Sequence, residues 1–201
     1  VEDRIEKKII NPPWVLLNIG NIYFTNKDYV NAALKYNEAL MNFKLFENTE
    51  NQNYGFTTVY DNLGSISEVK GDLKLAEEYY LKAYDIRKKN NKIEDLMFSE
   101  MHLLTLNMKQ HNTFNINKHL IEIERLHNEG KNNFSGKDYK KSFITRNYGY
   151  AYSHMGSYYL KINKYKVAKE FFEAAIEILS AYPSELPVLQ SKIAECYLGL
   201  K

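Results

Sequence analysis

The chain has 201 residues, of which 44% are hydrophobic and 26% are charged, and its formal net charge is +2. This is the composition of a folded globular chain, and so small a net charge excludes attraction to nucleic acid or to an acidic partner through the overall field. The single cysteine excludes an internal disulfide framework, and no apolar run reaches the roughly 20 residues that a membrane-spanning helix needs.

The first predicted element is a helix over Val1–Ile10, which Asn11 and the two prolines after it end. A longer helix follows, because large residues and a glycine recur at helical spacing: Leu16, Ile19, Gly20 and Tyr23. After a turn at 26–28, a second helix carries Tyr29, Ala32, Tyr36 and Ala39 on one face. These residues predict a helix pair over about 13–46.

The same series of residues occurs twice more along the chain. Over 55–90 it consists of Tyr60, Leu63, Gly64, Ser67, Leu73, Ala76, Tyr80 and Ala83. Over 138–182 it consists of Tyr152, Met155, Gly156, Tyr159, Tyr165, Ala168, Phe172 and Ala175. In all three segments an alanine, an aromatic residue and a second alanine follow the glycine by 12, 16 and 19 residues.

This spacing predicts how the two helices of each pair pack. The residues around the glycine form one stripe of the first helix, and the glycine lets the second helix approach closely. The two alanines allow tight contact, and the aromatic residue between them fills the groove. Asp28 and Asp72 suit helix starts, and Gly71 or Asn163 in the turn suits a helix end.

The pattern resembles the tetratricopeptide repeat, in which an aromatic residue, Leu-Gly, Tyr, Ala, an aromatic residue, Ala and Pro recur at fixed offsets. The stretch from Gly71 to Ala83 is especially similar to the second helix of that repeat. The resemblance implies an all-α fold, a right-handed superhelical solenoid of antiparallel helix pairs with about four to five repeats.

The repeats of this chain are longer than the family period of about 34 residues. Gly20 and Gly64 lie 44 residues apart, and Gly156 follows Gly64 by 92 residues. Such extended repeats resemble a long-repeat subclass found in peptide-sensing bacterial regulators and in sensor regions of signalling proteins.

The interval between Gly64 and Gly156 predicts a third, degenerate repeat over about 94–128. Its first helix is predicted from Leu103, Leu104, Asn107 and Met108, and its second from Ile116, Leu120, Ile123 and Leu126. A loop is predicted over Asn128–Gly136, and a further partial helix over 185–201. We therefore expect one solenoid domain over 1–201, with Cys196 as a small core residue.

Residue patterns typical of catalysis or of cofactor binding are missing from the sequence. The five histidines have no metal-ligand spacing, and there is no Gly-rich phosphate loop and no nucleophile elbow. We therefore predict no catalytic residues, no metal, no cofactor and no enzymatic activity. The basic residues Lys137, Lys140, Lys141 and Arg146 are mixed with Asp138, which favours an ordinary charged surface over a nucleic-acid site.

The predicted binding surface is the inner face of the solenoid, which the first helices of the repeats line. The positions two before and one after the glycine face this groove, and the position three before lies at its edge. The candidate groove residues are therefore Asn18, Asn21, Asp61, Asn62, Ser65, His154 and Ser157, with Tyr150 one turn earlier. An Asn side chain both donates and accepts, which suits a peptide backbone, although exposed helix faces are polar without any ligand as well.

The chaperone-binding members of the family clamp a terminal carboxylate with a Lys/Asn/Asn/Lys/Arg set. Asn21 and Asn62 fall on the two Asn positions, but Leu17 stands where the first Lys belongs. Without that cation there is little to hold a carboxylate, so we predict that this chain is not of that subtype.

The resemblance implies a protein- or peptide-binding module, the sensor or scaffold region of a larger bacterial regulatory protein. The predicted partner is a protein or peptide ligand in the concave groove, without nucleic acid and without a membrane span in this segment. The alternative is a structural assembly part without a small peptide ligand, for example one that forms a homodimer. We expect a cytoplasmic location, or a periplasmic one if the complete protein contains a membrane span.

Overall fold

A computed structural model of the chain describes residues 12–45, 49–133 and 137–201. The helix predicted over Val1–Ile10 lies outside these residues. The described residues form nine α-helices and no strands, which confirms the all-α prediction. In chain order the helices are α1 (Pro13–Thr25), α2 (Tyr29–Phe43), α3 (Thr49–Val69), α4 (Leu73–Asn90), α5 (Ile93–Lys109), α6 (Thr113–Asn133), α7 (Phe143–Lys161), α8 (Tyr165–Ile178) and α9 (Leu186–Gly199).

The helices belong to two compact units, Val1–Asn91 and Lys92–Lys201. In the first unit α1 packs on α2 and α3 packs on α4. In the second unit α5 packs on α6, α7 packs on α8, and α9 also packs on α8. The predicted architecture of packed helix pairs is therefore confirmed within each unit. Short 3₁₀ helices at Lys137–Lys141, Leu179–Ala181 and Pro183–Glu185 complete the second unit.

The turn inside every helix pair has the same backbone conformation. One residue of each turn has a positive φ: Lys27 at 63°, Gly71 at 83°, His111 at 55° and Asn163 at 59°. Three of these residues follow the repeat glycines Gly20, Gly64 and Gly156 by seven positions. Counting back seven positions from His111 places Leu104 at the glycine position of the third repeat.

Side-chain caps begin the second helix of the first three pairs. Asp28 accepts a hydrogen bond from the backbone N–H of Asn31 at 3.1 Å, and Asp72 accepts one from that of Leu75 at 3.0 Å. These two predicted caps are confirmed. Asn112 Oδ1 caps α6 in the same way, through the N–H of Asn115 at 3.2 Å.

Close contact between glycine and an aromatic ring holds three of the four pairs together. A Cβ atom on Gly64 would lie 2.5 Å from Cε1 of Tyr80, and one on Gly156 would lie 2.6 Å from Cε1 of Phe172. Gly20 faces the ring of Tyr36 in the same manner. The alanines on either side of these rings are fully buried, as predicted: Ala32, Ala39, Ala76, Ala83, Ala168 and Ala175.

The third repeat is packed differently, because Leu104 stands at the position that glycine occupies in the other three repeats. Leu104, Ile116 and Ile123 are fully or almost fully buried, and Leu120 replaces the aromatic residue. Beside them, Nδ1 of His119 lies 2.7 Å from Oε2 of Glu100 in a buried hydrogen bond. An apolar core with one polar pair thus takes the place of the glycine–aromatic contact.

The loop predicted over Asn128–Gly136 is wrong for its first six residues, since α6 continues to Asn133. The reason is packing. Leu126 is 1% exposed, and Gly130, one helical turn after Leu126, is buried against Ile144. A continued buried face outweighs the weak helix propensity of Gly and Asn. Residues 134–136 lie outside the described ranges. Cys196 is buried on α9, as predicted.

Candidate peptide-binding groove

The predicted groove residues of the first unit lie on α1 and α3. Asn18 and Asn21 are exposed on α1, whereas Asn62 and Ser65 are half-buried on α3. The structure joins two of them directly, since Asn62 Nδ2 donates a hydrogen bond to Asn21 Oδ1 at 3.1 Å. The groove face of this unit therefore carries a linked pair of amide side chains.

Tyr36 fixes the orientation of this amide pair. Its hydroxyl donates to Asn21 Oδ1 at 2.8 Å, and burial raises the pKa of Tyr36 to about 12, so the phenol stays protonated at neutral pH. Both bonds occupy the oxygen of Asn21, which leaves its Nδ2 as a donor and Asn62 Oδ1 as an acceptor. One donor and one acceptor side by side match the N–H and C=O groups of an extended backbone.

Ser65 is engaged by its own surroundings. Its hydroxyl donates to the backbone oxygen of Asp61 at 3.0 Å and lies 3.3 Å from the hydroxyl of Tyr80. The Tyr80 hydroxyl in turn donates to Glu68 at 2.7 Å. Ser65 therefore joins the network between α3 and α4 as well as bordering the groove.

The prediction that Asp61 faces the groove is wrong, because the structure places its side chain in the core. Asp61 is 6% exposed and accepts two hydrogen bonds from Arg87 of α4, at 3.2 and 2.5 Å. The equivalent residue of the first repeat, Leu17, is also buried, at 5% exposure. In the first two repeats the position three before the glycine is thus a core position, and a charge there needs a buried partner.

In the second unit, a cleft of about 230 Å³ opens between α5 and α7. We call it the α5–α7 cleft, and its lining residues are Phe98, Met101, His102, Thr105, Asn147, Tyr150 and His154. The structure thus brings together the predicted residues Tyr150 and His154. It adds five residues that were not among the predicted groove residues: Phe98, Met101, His102, Thr105 and Asn147.

The repeat register explains why these residues meet. His102 and His154 both stand two positions before the glycine position, and Phe98 and Tyr150 both stand six positions before it. The two histidines are the equivalents of Asn18 and Asn62 in the first unit, so the same face of the repeat contributes to the cleft. The register of the third repeat was the missing information, and the positive φ of His111 in the structure supplies it.

Among the residues that the structure describes, no Lys, Arg, Asp or Glu side chain lines the α5–α7 cleft. Beside it, Arg146 donates to Glu185 at 2.6 Å, and the hydroxyl of Tyr150 donates to the same carboxylate oxygen at 2.7 Å. The packed surroundings lower the pKa of His154, and the charge of Lys192 lowers it further. The lowered pKa favours the neutral form of His154 at neutral pH.

Ser157 is half-buried and its hydroxyl donates to the backbone oxygen of Ser153 at 3.0 Å. It lies on α7 and is not part of the cleft lining. Within the described ranges, no three His, Cys, Asp or Glu side chains are placed to hold a metal ion. No helix in the same ranges has both the length and the apolar character needed to cross a membrane.

A family model described as tetratricopeptide repeat matches residues 57–90 and 149–178, which contain the whole of α4 and α8 and most of α3 and α7. No curated protein matches the chain in sequence. The crystal structure of BtubC (BKLC) from P. vanneervenii is similar to it, with a TM-score of 0.71 at 15% identity over 98% of this chain and 79% of that one. Such a low identity shows a shared fold alone. The two matched segments, which belong to the second and fourth helix pairs, support a relationship to the tetratricopeptide repeat family at these positions.

Proposed function

We propose that this chain binds an extended segment of a protein or peptide partner on the groove face of its repeats. Tetratricopeptide repeats mediate protein–protein interaction in general, and all-helical chains of this kind are typically not enzymes. The observation that carries the proposal is the α5–α7 cleft. Two of its residues, Thr105 and His154, stand at the repeat positions that Asn21 and Asn62 occupy in the first unit. Each unit taken by itself offers on this face a feature that suits an extended chain: hydrogen-bonding side chains in the first unit and a cleft in the second.

The proposed biological role is that of a sensor or scaffold region in a larger bacterial regulatory protein. The long repeats support this role, because the spacing of 44 residues between Gly20 and Gly64 exceeds the usual period of about 34. The coding sequence around this segment tests the role. An adjoining DNA-binding or kinase domain supports it, and a reading frame that encodes only an unrelated enzyme contradicts it.

Binding is tested by selecting peptides from a random twelve-residue display library on the whole chain. We expect to select peptides that bind in an extended conformation. The proposed function would be contradicted if the library yielded no binding peptide and if a cell lysate, tested in a second experiment, also yielded no partner.

Assembly is the second candidate function, because α1 exposes apolar side chains that the equivalent helix buries. Val15 and Ile22 are 45% and 62% exposed, whereas Val59 and Ile66 at the same repeat positions of α3 are 0% and 4% exposed. In α3 these positions pack with α2 in one core cluster. A native mass spectrum that shows only dimers, and a Val15→Asp variant that shows only monomers, would favour assembly over peptide binding.

A further inference from the structure

The α5–α7 cleft has the size of one side chain. Pockets that hold whole small molecules or cofactors measure roughly 300–1,000 Å³, and this cleft measures about 230 Å³. It is also open to solvent along the groove face, where Phe98 keeps 37% of its surface exposed. A guest that covers Phe98 removes apolar surface from water, which favours an apolar guest.

Rings form most of the cleft wall. Phe98 and His102 contact each other edge to face, with ring centroids 4.7 Å apart and an interplanar angle of 80°. Tyr150 and His154 face them from α7. Aromatic rings prefer offset or edge-to-face partners, and such pairs are more favourable than the buried area alone accounts for. A guest with a ring therefore gains more in this cleft than an aliphatic one.

The charges near the cleft are already engaged. Arg146 and Glu185 pair with each other, and the Arg146 guanidinium also lies 5.4 Å from the ring centroids of Tyr150 and Tyr182. Lys192 Nζ lies 5.8 Å from the ring centroid of Phe172. A carboxylate guest would find no cation in the cleft lining, and an ammonium guest would find no carboxylate there.

We propose that the α5–α7 cleft is an anchor pocket that takes one aromatic side chain of the bound segment and sets the sequence preference of the chain. This inference rests on the proposed function and adds the chemistry of the ligand to it. The linked amides of Asn21 and Asn62 recognise backbone groups, which every peptide has. The α5–α7 cleft is where the groove distinguishes one side chain from another.

Capped amino acids test the pocket without a known ligand. The probes are the N-acetyl N-methylamides of phenylalanine, leucine, aspartate and lysine, titrated into the whole chain with ¹³C-labelled methionine methyl groups. We expect the phenylalanine probe to shift the Met101 methyl signal saturably, with an affinity about tenfold above that of the aspartate and lysine probes. Equal or tighter binding of the aspartate or lysine probe would overturn the inference.

A filled cleft supplies the matched variant. Thr105→Trp places a large ring inside the cleft, whereas Glu170→Trp places the same ring on an exposed position of α8. We expect Thr105→Trp to abolish the shift that the phenylalanine probe causes and Glu170→Trp to keep it, with equal circular dichroism for both. Retention of the shift in folded Thr105→Trp would overturn the inference.

The display library separates this inference from the proposed function. Selected peptides that share an aromatic residue, and that lose at least tenfold in affinity for Thr105→Trp, support both. Peptides that bind Thr105→Trp as well as the natural chain, without a shared aromatic residue, overturn the anchor pocket and leave the proposed function standing. A phenylalanine probe that binds at Met101, while neither the display library nor the lysate yields a partner, supports the aromatic preference of the cleft and contradicts the proposed function.

Discussion

Gly64 of α3 lies so close to Tyr80 of α4 that a Cβ atom on Gly64 would be 2.5 Å from Cε1 of the ring. The ring cannot move away freely, because Tyr80 is 2% exposed and its hydroxyl donates to Glu68. This contact sets the distance between the two helices of the repeat. The same relationship between Gly156 and Phe172 holds α7 against α8.

The variant Gly64→Leu should therefore force α3 and α4 apart. We expect a loss of about 1–3 kcal/mol in the free energy of unfolding, the usual cost of an overpacked core. Gly71→Asn is the control, since nothing lies within 4 Å of a Cβ there and Asn163 occupies the equivalent turn position with φ 59°. Thermal melts of both variants check this, and an unchanged melting temperature for Gly64→Leu would refute the contact.

The buried pair of Asp61 and Arg87 predicts a strong asymmetry between single and double variants. Asp61→Ala leaves the guanidinium buried without its carboxylate and should cost about 3–5 kcal/mol in unfolding free energy. The double variant Asp61→Leu with Arg87→Met should recover most of this loss, because Leu17 and Phe43 stand at these positions in the first repeat and are buried. Urea denaturation measures both, and a double variant as unstable as Asp61→Ala would contradict the prediction.

Coupling between Leu104 and Leu120 tests the register of the third repeat. Leu104→Gly should leave a cavity and Leu120→Tyr should overpack the core, whereas the double variant recreates the glycine–aromatic contact of the other repeats. We expect the double variant to be more stable than the sum of the single changes by about 0.5–3 kcal/mol. Additive effects in the double-mutant cycle would show that the two positions do not face each other.

Stability should fall as the solution is acidified through the titration range of histidine. Burial lowers the pKa of His127, and the charge of Lys131 lowers it further, so the unfolded chain binds a proton more readily than the folded chain. The stabilising contribution is complete above the unfolded pKa of about 6.5 and declines as the pH falls towards the folded pKa. The variant His127→Phe removes this titration and retains an aromatic ring that can stack on Tyr148. In the natural chain the ring centroids of His127 and Tyr148 lie 4.0 Å apart.

Melting temperatures between pH 7.5 and 5.5 check this prediction. The natural chain should lose stability across the range, and the slope should be smaller for His127→Phe. Adding His154→Gln should flatten the curve further, because the pKa of His154 is lowered by its packed surroundings and by Lys192. Identical slopes for all three chains would contradict the assignment of the pH dependence to these histidines.

The helix pairs of the first, second and fourth repeats could be predicted from the sequence because the contact that forms them is local. Gly64 and Tyr80 are 16 residues apart, and their spacing recurs in each of these repeats. The alanines that flank the ring, such as Ala76 and Ala83, carry the same signal. A repeated pattern of small and large residues thus encodes helix packing directly.

The third repeat and the core position of Asp61 could not be predicted in this way. Leu104 has no glycine signature, so its register depends on the turn conformation at His111, which only the structure shows. The partner of Asp61 is Arg87, 26 residues later and without an equivalent charge in the first repeat. Single polar substitutions within a core leave no periodic trace in a sequence.

The central claim, that the groove face binds an extended segment, is tested most directly by titration calorimetry of one library-selected peptide. The chains to compare are the natural protein, Asn62→Ala and, as a control on the outer face of α2, Asn37→Ala, with circular dichroism to verify folding. Loss of the Asn62 amide should cost about 1–3 kcal/mol of binding free energy, whereas Asn37→Ala should bind like the natural chain. Natural affinity in folded Asn62→Ala, for a peptide that Thr105→Trp also still binds, would contradict the account.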